Sequence, residues 1–187
     1  MDNYLQNLFE VLQKTEIRIQ NAEDVSNIET GISKLVDIFS RIKNDNKSIV
    51  FIGNGGSAAI AIHMTSDFLK NGGMKTISFY NPATLTCLGN DYSYEDVFSK
   101  QVENILREGD MLIAISSSGM SANIVKAIKA AHDKKVKVMS FTGFDESNIC
   151  RSNADISLYV PSHKYGIVES IHNLILQEIV DRINEKH

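Results

Sequence analysis

Apolar positions fall into two regimes along the 187-residue chain. Up to position 45 they recur at helical spacing: Leu5, Leu8, Phe9 and Leu12, then Val25, Ile28, Ile32, Leu35, Val36, Phe39 and Ile42. These two stripes predict two amphipathic helices, with the polar stretch Asn21 to Asp24 as the corner between them. From Ser48 the pattern changes to short runs rich in β-branched residues, SIVFIG, KTISFY, MLIAIS, VKVMSFT and DISLYV. Helical patterns over 58–69 and 121–134 separate most of these runs, and 167–183 closes the chain with a last amphipathic helix. Such alternation predicts an α/β three-layer sandwich: a central five-stranded parallel sheet with helices on both faces, two N-terminal helices and one C-terminal helix. No repeat, low-complexity tract or proline-rich linker divides it, so residues 1–187 are read as one domain. A sheet already covered by its own helices leaves the apolar stripes of 1–45 for packing between subunits.

Composition narrows the class of function. With 43% apolar and 22% charged residues the chain suits a globular core, and a formal charge of −4 provides no basic stripe for a nucleic-acid backbone. The opening MDNYLQNLFEVLQ carries acid where a signal peptide needs base, and no run approaches the ~18 consecutive apolar residues of a membrane span. The expectation is a cytoplasmic protein with no nucleic-acid or membrane partner. Cys87 and Cys150 have no C-x-x-C spacing and read as two small core residues.

In a parallel α/β sheet, ligands sit beyond the carboxyl ends of the strands, which draws attention to two loops. Gly53-Asn54-Gly55-Gly56-Ser57 follows an apolar strand and opens a helix, whose N-terminal N–H groups attract an anion. Alone it is a weak signal, because it matches neither of the usual glycine-rich nucleotide motifs. The loop ISSSGMSAN, Ile115 to Asn123, places Ser116, Ser117, Ser118 and Ser121 around one glycine. Hydroxyls and backbone N–H groups there can hold the terminal oxygens of a phosphate monoester without any lysine or arginine. An N-cap serine in a solvated loop would account for one of these hydroxyls, hardly for four. His63 and Asp67 lie one helical turn apart, a spacing that serves either a shared cation or a simple hydrogen-bonded pair.

The combination of GNGGSA, GNDYSYEDVFSKQV (Gly89 to Val102) and ISSSGMSAN closely resembles the sugar isomerase, or SIS, domain, and within it the phosphoheptose isomerases. The resemblance runs over essentially the whole chain. It implies a homotetramer acting on a sugar phosphate, interconverting sedoheptulose 7-phosphate with a heptose 7-phosphate, and zinc as cofactor. It assigns substrate binding to Asn54, Gly55, Gly56, Ser57, Asn90, Asp91, Ser116, Ser117, Ser118 and Ser121. His63 falls at the family's zinc histidine and Asp67 at its glutamate, the base of the reaction. In YGIVESIHNLILQE, Glu169 and Gln177 replace a glutamine and a histidine eight residues apart, so the metal set becomes His63, Asp67, Glu169 and Gln177. Ile60 stands where the family usually has an aspartate, and Asn71 where it often has an arginine.

Aldose–ketose isomerisation passes a proton between adjacent carbons through an enediol, which requires a base and a group to polarise the carbonyl. Asp67, Glu169 and Gln177 are the catalytic candidates. Aspartate reaches one methylene less than glutamate, and an amide exchanges no proton at neutral pH, so the acid role would pass to Glu169. The alternative is a non-catalytic SIS module that binds a sugar phosphate or a protein partner. His172, between Ile171 and Leu174, is expected to be a packed helix histidine.

Overall fold

A computed structural model describes residues 3–20 and 27–185, so Val25 and the predicted corner at 21–24 lie outside the described residues. In chain order the elements are α1 (Tyr4–Gln13), β1 (Glu16–Ile19), α2 (Ile28–Asn44), β2 (Ser48–Gly53), α3 (Gly56–Lys70), β3 (Lys75–Ile77) and α4 (Pro82–Asp91). A single 3-10 turn (Tyr94–Asp96) leads to α5 (Ser99–Ile105), β4 (Met111–Ser116), α6 (Ala122–Asp133), β5 (Lys137–Thr142), α7 (Ile149–Ser152), β6 (Ile156–Tyr159) and α8 (Tyr165–Glu185).

The sheet has six strands in the order β1-β6-β5-β4-β2-β3 and is mixed, which corrects the expected five-stranded parallel sheet. All five expected strands are present and pair in parallel. The sixth, β1, pairs antiparallel with β6, Ile17 opposite Leu158. It is four residues long and follows α1 almost directly, too short for its alternation to stand out. Arg151, buried beneath the edge, anchors it: the guanidinium reaches Glu16 at 2.6 Å and stacks over the Tyr159 ring at 4.2 Å. Three helical pieces, α4, α5 and α7, were not resolved as separate elements in the apolar pattern because each buries few side chains or spans few residues.

Strands β2 and β4 are buried at every position because helices cover both faces. On one face α2, α3 and α8 bury Leu35, Phe39, Phe68, Ile171 and Ile175 against Phe51 and Phe141. On the other, α5 and α6 bury Val102, Ile124 and Ile128 against Ile52 and Leu112. Each such side chain removed from water contributes about 1.5–3 kcal/mol. His172 is wholly buried with Nε2 3.1 Å from the Thr142 carbonyl, the packed histidine the sequence predicts, and burial pushes its pKa down to about 4. Cys150 is in the core, whereas Cys87 is exposed on α4, so only one cysteine is the core residue expected. None of the described helices is long and apolar enough to cross a membrane.

Candidate functional site

Strands β2 and β4 are neighbours, and the loops leaving their carboxyl ends meet in one cleft of about 230 Å³. Its lining is Asn54, Gly55, Gly56 and Ser57 from the first loop, Ile115 to Ser118 and Ser121 from the second, and Tyr165 and Glu169 from α8. Eight of the ten residues expected to bind substrate are thus brought together. Asn90 and Asp91 are not: they occupy the exposed carboxyl end of α4, where Asn90 Nδ2 donates to Asp91 Oδ1 at 2.9 Å.

The two helices that open on the cleft are prepared for an anion. Away from it, α2, α4 and α7 are capped by the side chains of Asn27, Asn81 and Asn148, while α1 and α5 have no side-chain cap. At the cleft, α3 begins at Gly55 and α6 at Ser121, and neither residue makes a side-chain cap bond. The first N–H groups of an uncapped helix lack intrahelical partners and carry the positive end of the dipole. Gly55 adopts φ +55, a left-handed conformation that suits glycine. The Ser121 hydroxyl, spared from capping, remains free for a ligand, and the buried Ser117 Oγ has no hydrogen-bond partner among the described residues. A buried hydroxyl left in this state is costly unless something else satisfies it. The lining contains no lysine or arginine, so an anion in the cleft would meet neutral donors.

Glu169 enters the same cleft from α8. A Cβ on Gly56 would stand 2.6 Å from Glu169 Oε1 and 2.7 Å from its Cδ, so only glycine allows the carboxylate to lie against the start of α3. The positive end of that helix stabilises it there. Behind the first loop, the Tyr80 hydroxyl accepts the Gly53 N–H at 2.7 Å and donates to the Gly53 carbonyl at 2.9 Å. Burial raises the pKa of this phenol, which keeps its proton and both bonds.

A second cluster lies farther along the same two helices. Gln177 Nε2 is 2.8 Å from Asp67 Oδ2 and 2.9 Å from His63 Nε2, and the imidazole and carboxylate are 3.2 Å apart. Their convergence follows from α3 packing on α8, with Met64 and Phe68 on the buried face of α3 and His63 and Asp67 at its border. Glu169 does not join them, contrary to the expected four-residue metal set. It lies eight residues from Gln177, about 12 Å along the helix at 1.5 Å per residue. Among the described residues no three His, Cys, Asp or Glu side chains gather at one point. What remains is one imidazole, one carboxylate and an amide, a three-donor set of the open kind a catalytic zinc uses, provided the amide presents its oxygen.

Sequence reasoning missed Tyr165, Tyr80, Tyr94 and Asn123. Tyr165 stands one turn before Glu169 and was detectable by that spacing. Asn123 lies inside the serine motif itself, and its amide exchanges two hydrogen bonds of 2.9 Å with Asn54.

A mostly parallel sheet with two loops rich in glycine and serine at its switch region, and no cationic side chain lining their cleft, is the arrangement of a phosphosugar-binding α/β domain. A family model described as the SIS domain matches residues 15–143, and the chain belongs to that family. The curated phosphoheptose isomerase of Aeromonas hydrophila is 35% identical, with 98% of this chain and 95% of the relative covered. That of Neisseria meningitidis is 40% identical over 76% of each. The solved structure of a phosphoheptose isomerase from Francisella tularensis superposes with a TM-score of 0.77 at 32% identity, covering 82% of this chain and 84% of that one. Within the SIS family the chain is therefore grouped with the phosphoheptose isomerases.

Proposed function

We propose that the protein is a phosphosugar isomerase that interconverts an aldose and a ketose phosphate through an enediol, with sedoheptulose 7-phosphate as the expected ketose. The observation that carries this reading is the pairing, on one face of α3 and α8, of a cation-free anion cleft with a carboxylate–imidazole–amide cluster. The serine loop and the start of α3 hold the phosphate, which leaves the carbon chain to extend along α8. Asp67 takes the proton from the carbon beside the carbonyl and returns it to the neighbouring carbon. Without a cation, Gln177 donates to Asp67 and holds it in register; Glu169, two turns away in the phosphate cleft, is the other group able to exchange a proton, which an amide cannot do.

His63, Asp67 and Gln177 would hold a divalent cation such as Zn²⁺, which supplies polarisation of the substrate carbonyl when bound. We take the exposed apolar side chains of α1, Leu5 and Phe9, as part of the surface through which a homotetramer forms. A cytoplasmic location accords with this chemistry.

The test is a screen of purified protein against ketose and aldose phosphates of five to seven carbons, with metal analysis of the same sample. Isomer formation from sedoheptulose 7-phosphate is the expected result. A second reading, a SIS module that binds a sugar phosphate without turnover, is favoured by Gln177, and tight binding with no isomer in the screen would select it.

A further inference from the structure

Asn54 lines the cleft with its hydrogen-bonding capacity nearly exhausted. Its Nδ2 donates to Asn123 Oδ1 at 2.9 Å, while its Oδ1 accepts from Asn123 Nδ2 and from the Tyr94 hydroxyl, each at 2.9 Å. A primary amide has two N–H donors and an oxygen with two lone pairs. Both lone pairs of Asn54 are therefore taken and one N–H remains.

The partners come from two directions. Asn123 is buried, 3% exposed, at the second residue of α6, just past the serine loop. Tyr94, 66% exposed, sits on the 3-10 turn, and the same helix end holds that turn: Lys126 Nζ reaches Glu95 at 3.0 Å and Asp96 at 3.1 Å. One end of α6 thus ties the glycine loop, the serine loop and the turn to each other.

We propose that Asn123 and Tyr94 are positioning residues that lock the Asn54 amide as a one-way donor to a ligand oxygen and fix the separation of the two anion-binding loops. The inference rests on the proposed function and deepens it. An amide free to turn would present its oxygen to the cleft half of the time and repel a phosphate or sugar oxygen. With an N–H and an O–H both donating to its oxygen, it has an N–H and no lone pair left for a ligand. Selection is then for ligands offering a lone pair at that point, and the orienting cost is met before the ligand arrives.

Steady-state kinetics of the full chain with sedoheptulose 7-phosphate, alongside thermal melting, test this. Asn123→Asp keeps the shape but sets an oxygen against Asn54 Oδ1, and should raise KM about tenfold. Tyr94→Phe removes one donor from an exposed position and should raise KM about threefold with no change in melting. In both, kcat should stay within about twofold, since Asp67, His63 and Gln177 belong to other elements. The double variant should fall short of the product of the two effects, because both act on one oxygen. A merely structural role would lower the active fraction, and so kcat, at constant KM; that pattern, or an unchanged KM for Tyr94→Phe, overturns the proposal. Should Asn123→Asp melt early, Tyr94→Phe alone decides. If the wild type binds without turnover, the same shifts are read in Kd by calorimetry. Wild-type protein that does not bind the sugar phosphate removes the proposed function and the clamp together, whereas normal binding by wild type and variants alike removes only the clamp.

Discussion

The serine-loop cleft and the His63–Asp67–Gln177 cluster share two helices but are built by different means. In the cleft nearly every donor is a backbone N–H, a hydroxyl or an amide, supplied by loops at the ends of β2 and β4 and by uncapped helix starts. In the cluster, His63, Asp67 and Gln177 are side chains in mid-helix, held by the packing of α3 on α8 and by one another. Recognition of a phosphate needs many fixed, neutral donors, and rigid backbone supplies them. Proton transfer needs a few groups able to change charge, and these stand on helix surfaces, the His63 side chain half-exposed and that of Asp67 mostly covered. Glu169 sits between the two regimes, a charged side chain placed within the neutral cleft.

If binding and chemistry are divided in this way, variants should separate them. The largest effect is expected from Asp67→Asn, which removes the proposed base: turnover of sedoheptulose 7-phosphate should fall at least a thousandfold, while its Kd by calorimetry stays within about threefold. A large loss of binding would show that the cluster also holds the ligand. Glu169→Gln should lower kcat about a hundredfold or more, with phosphate affinity equal or better because a like charge leaves the cleft. Unimpaired turnover would relieve Glu169 of any catalytic role. Ser118→Ala with Ser121→Ala should reverse the pattern. Each lost donor to a charged oxygen is worth about 1.5–3 kcal/mol, so the pair weakens binding by two orders of magnitude or more with little shift in melting temperature.

Smaller effects sharpen the boundary. Gly56→Ala drives a methyl into the Glu169 carboxylate, and should reduce kcat/KM about tenfold by moving that one side chain. His172 contrasts with the histidine of the cluster, since its burial holds it neutral in the fold. Its pKa, lowered from 6.5 to about 4, means that the unfolded chain gains a proton first as pH falls. The His172 contribution to stability should be full above about pH 6.5 and lost progressively as pH falls towards 4, and His172→Leu should flatten that part of the profile in chemical denaturation.

The same two regions differ in how legible they are in the sequence. The strands SIVFIG and MLIAIS match β2 and β4 end to end, and both loops stand where a parallel sheet puts its ligand. Local pattern suffices there because strand, turn and helix start are contiguous in the chain. The pairing of residues 67 and 177 joins segments 110 positions apart, and only the resemblance to a known family suggested it. Glu169 was expected in that group, and within one chain it stands apart: eight residues bring two side chains only roughly to one side of a helix and separate them by more than two turns along it. β1 escaped notice because EIRI is short and its partner β6 comes near the far end of the chain. Tyr94 and Asn123 escaped because amide and hydroxyl contacts leave no periodic trace.

The central claim is that Asp67 abstracts a proton from carbon while the serine cleft holds the phosphate. Proton NMR of sedoheptulose 7-phosphate in D₂O tests it directly. With wild-type protein the account predicts deuterium entering at the carbon beside the carbonyl as the aldose appears, and with Asp67→Asn a bound ligand whose C–H signals persist. Wild-type exchange that survives unchanged in Asp67→Asn would contradict it.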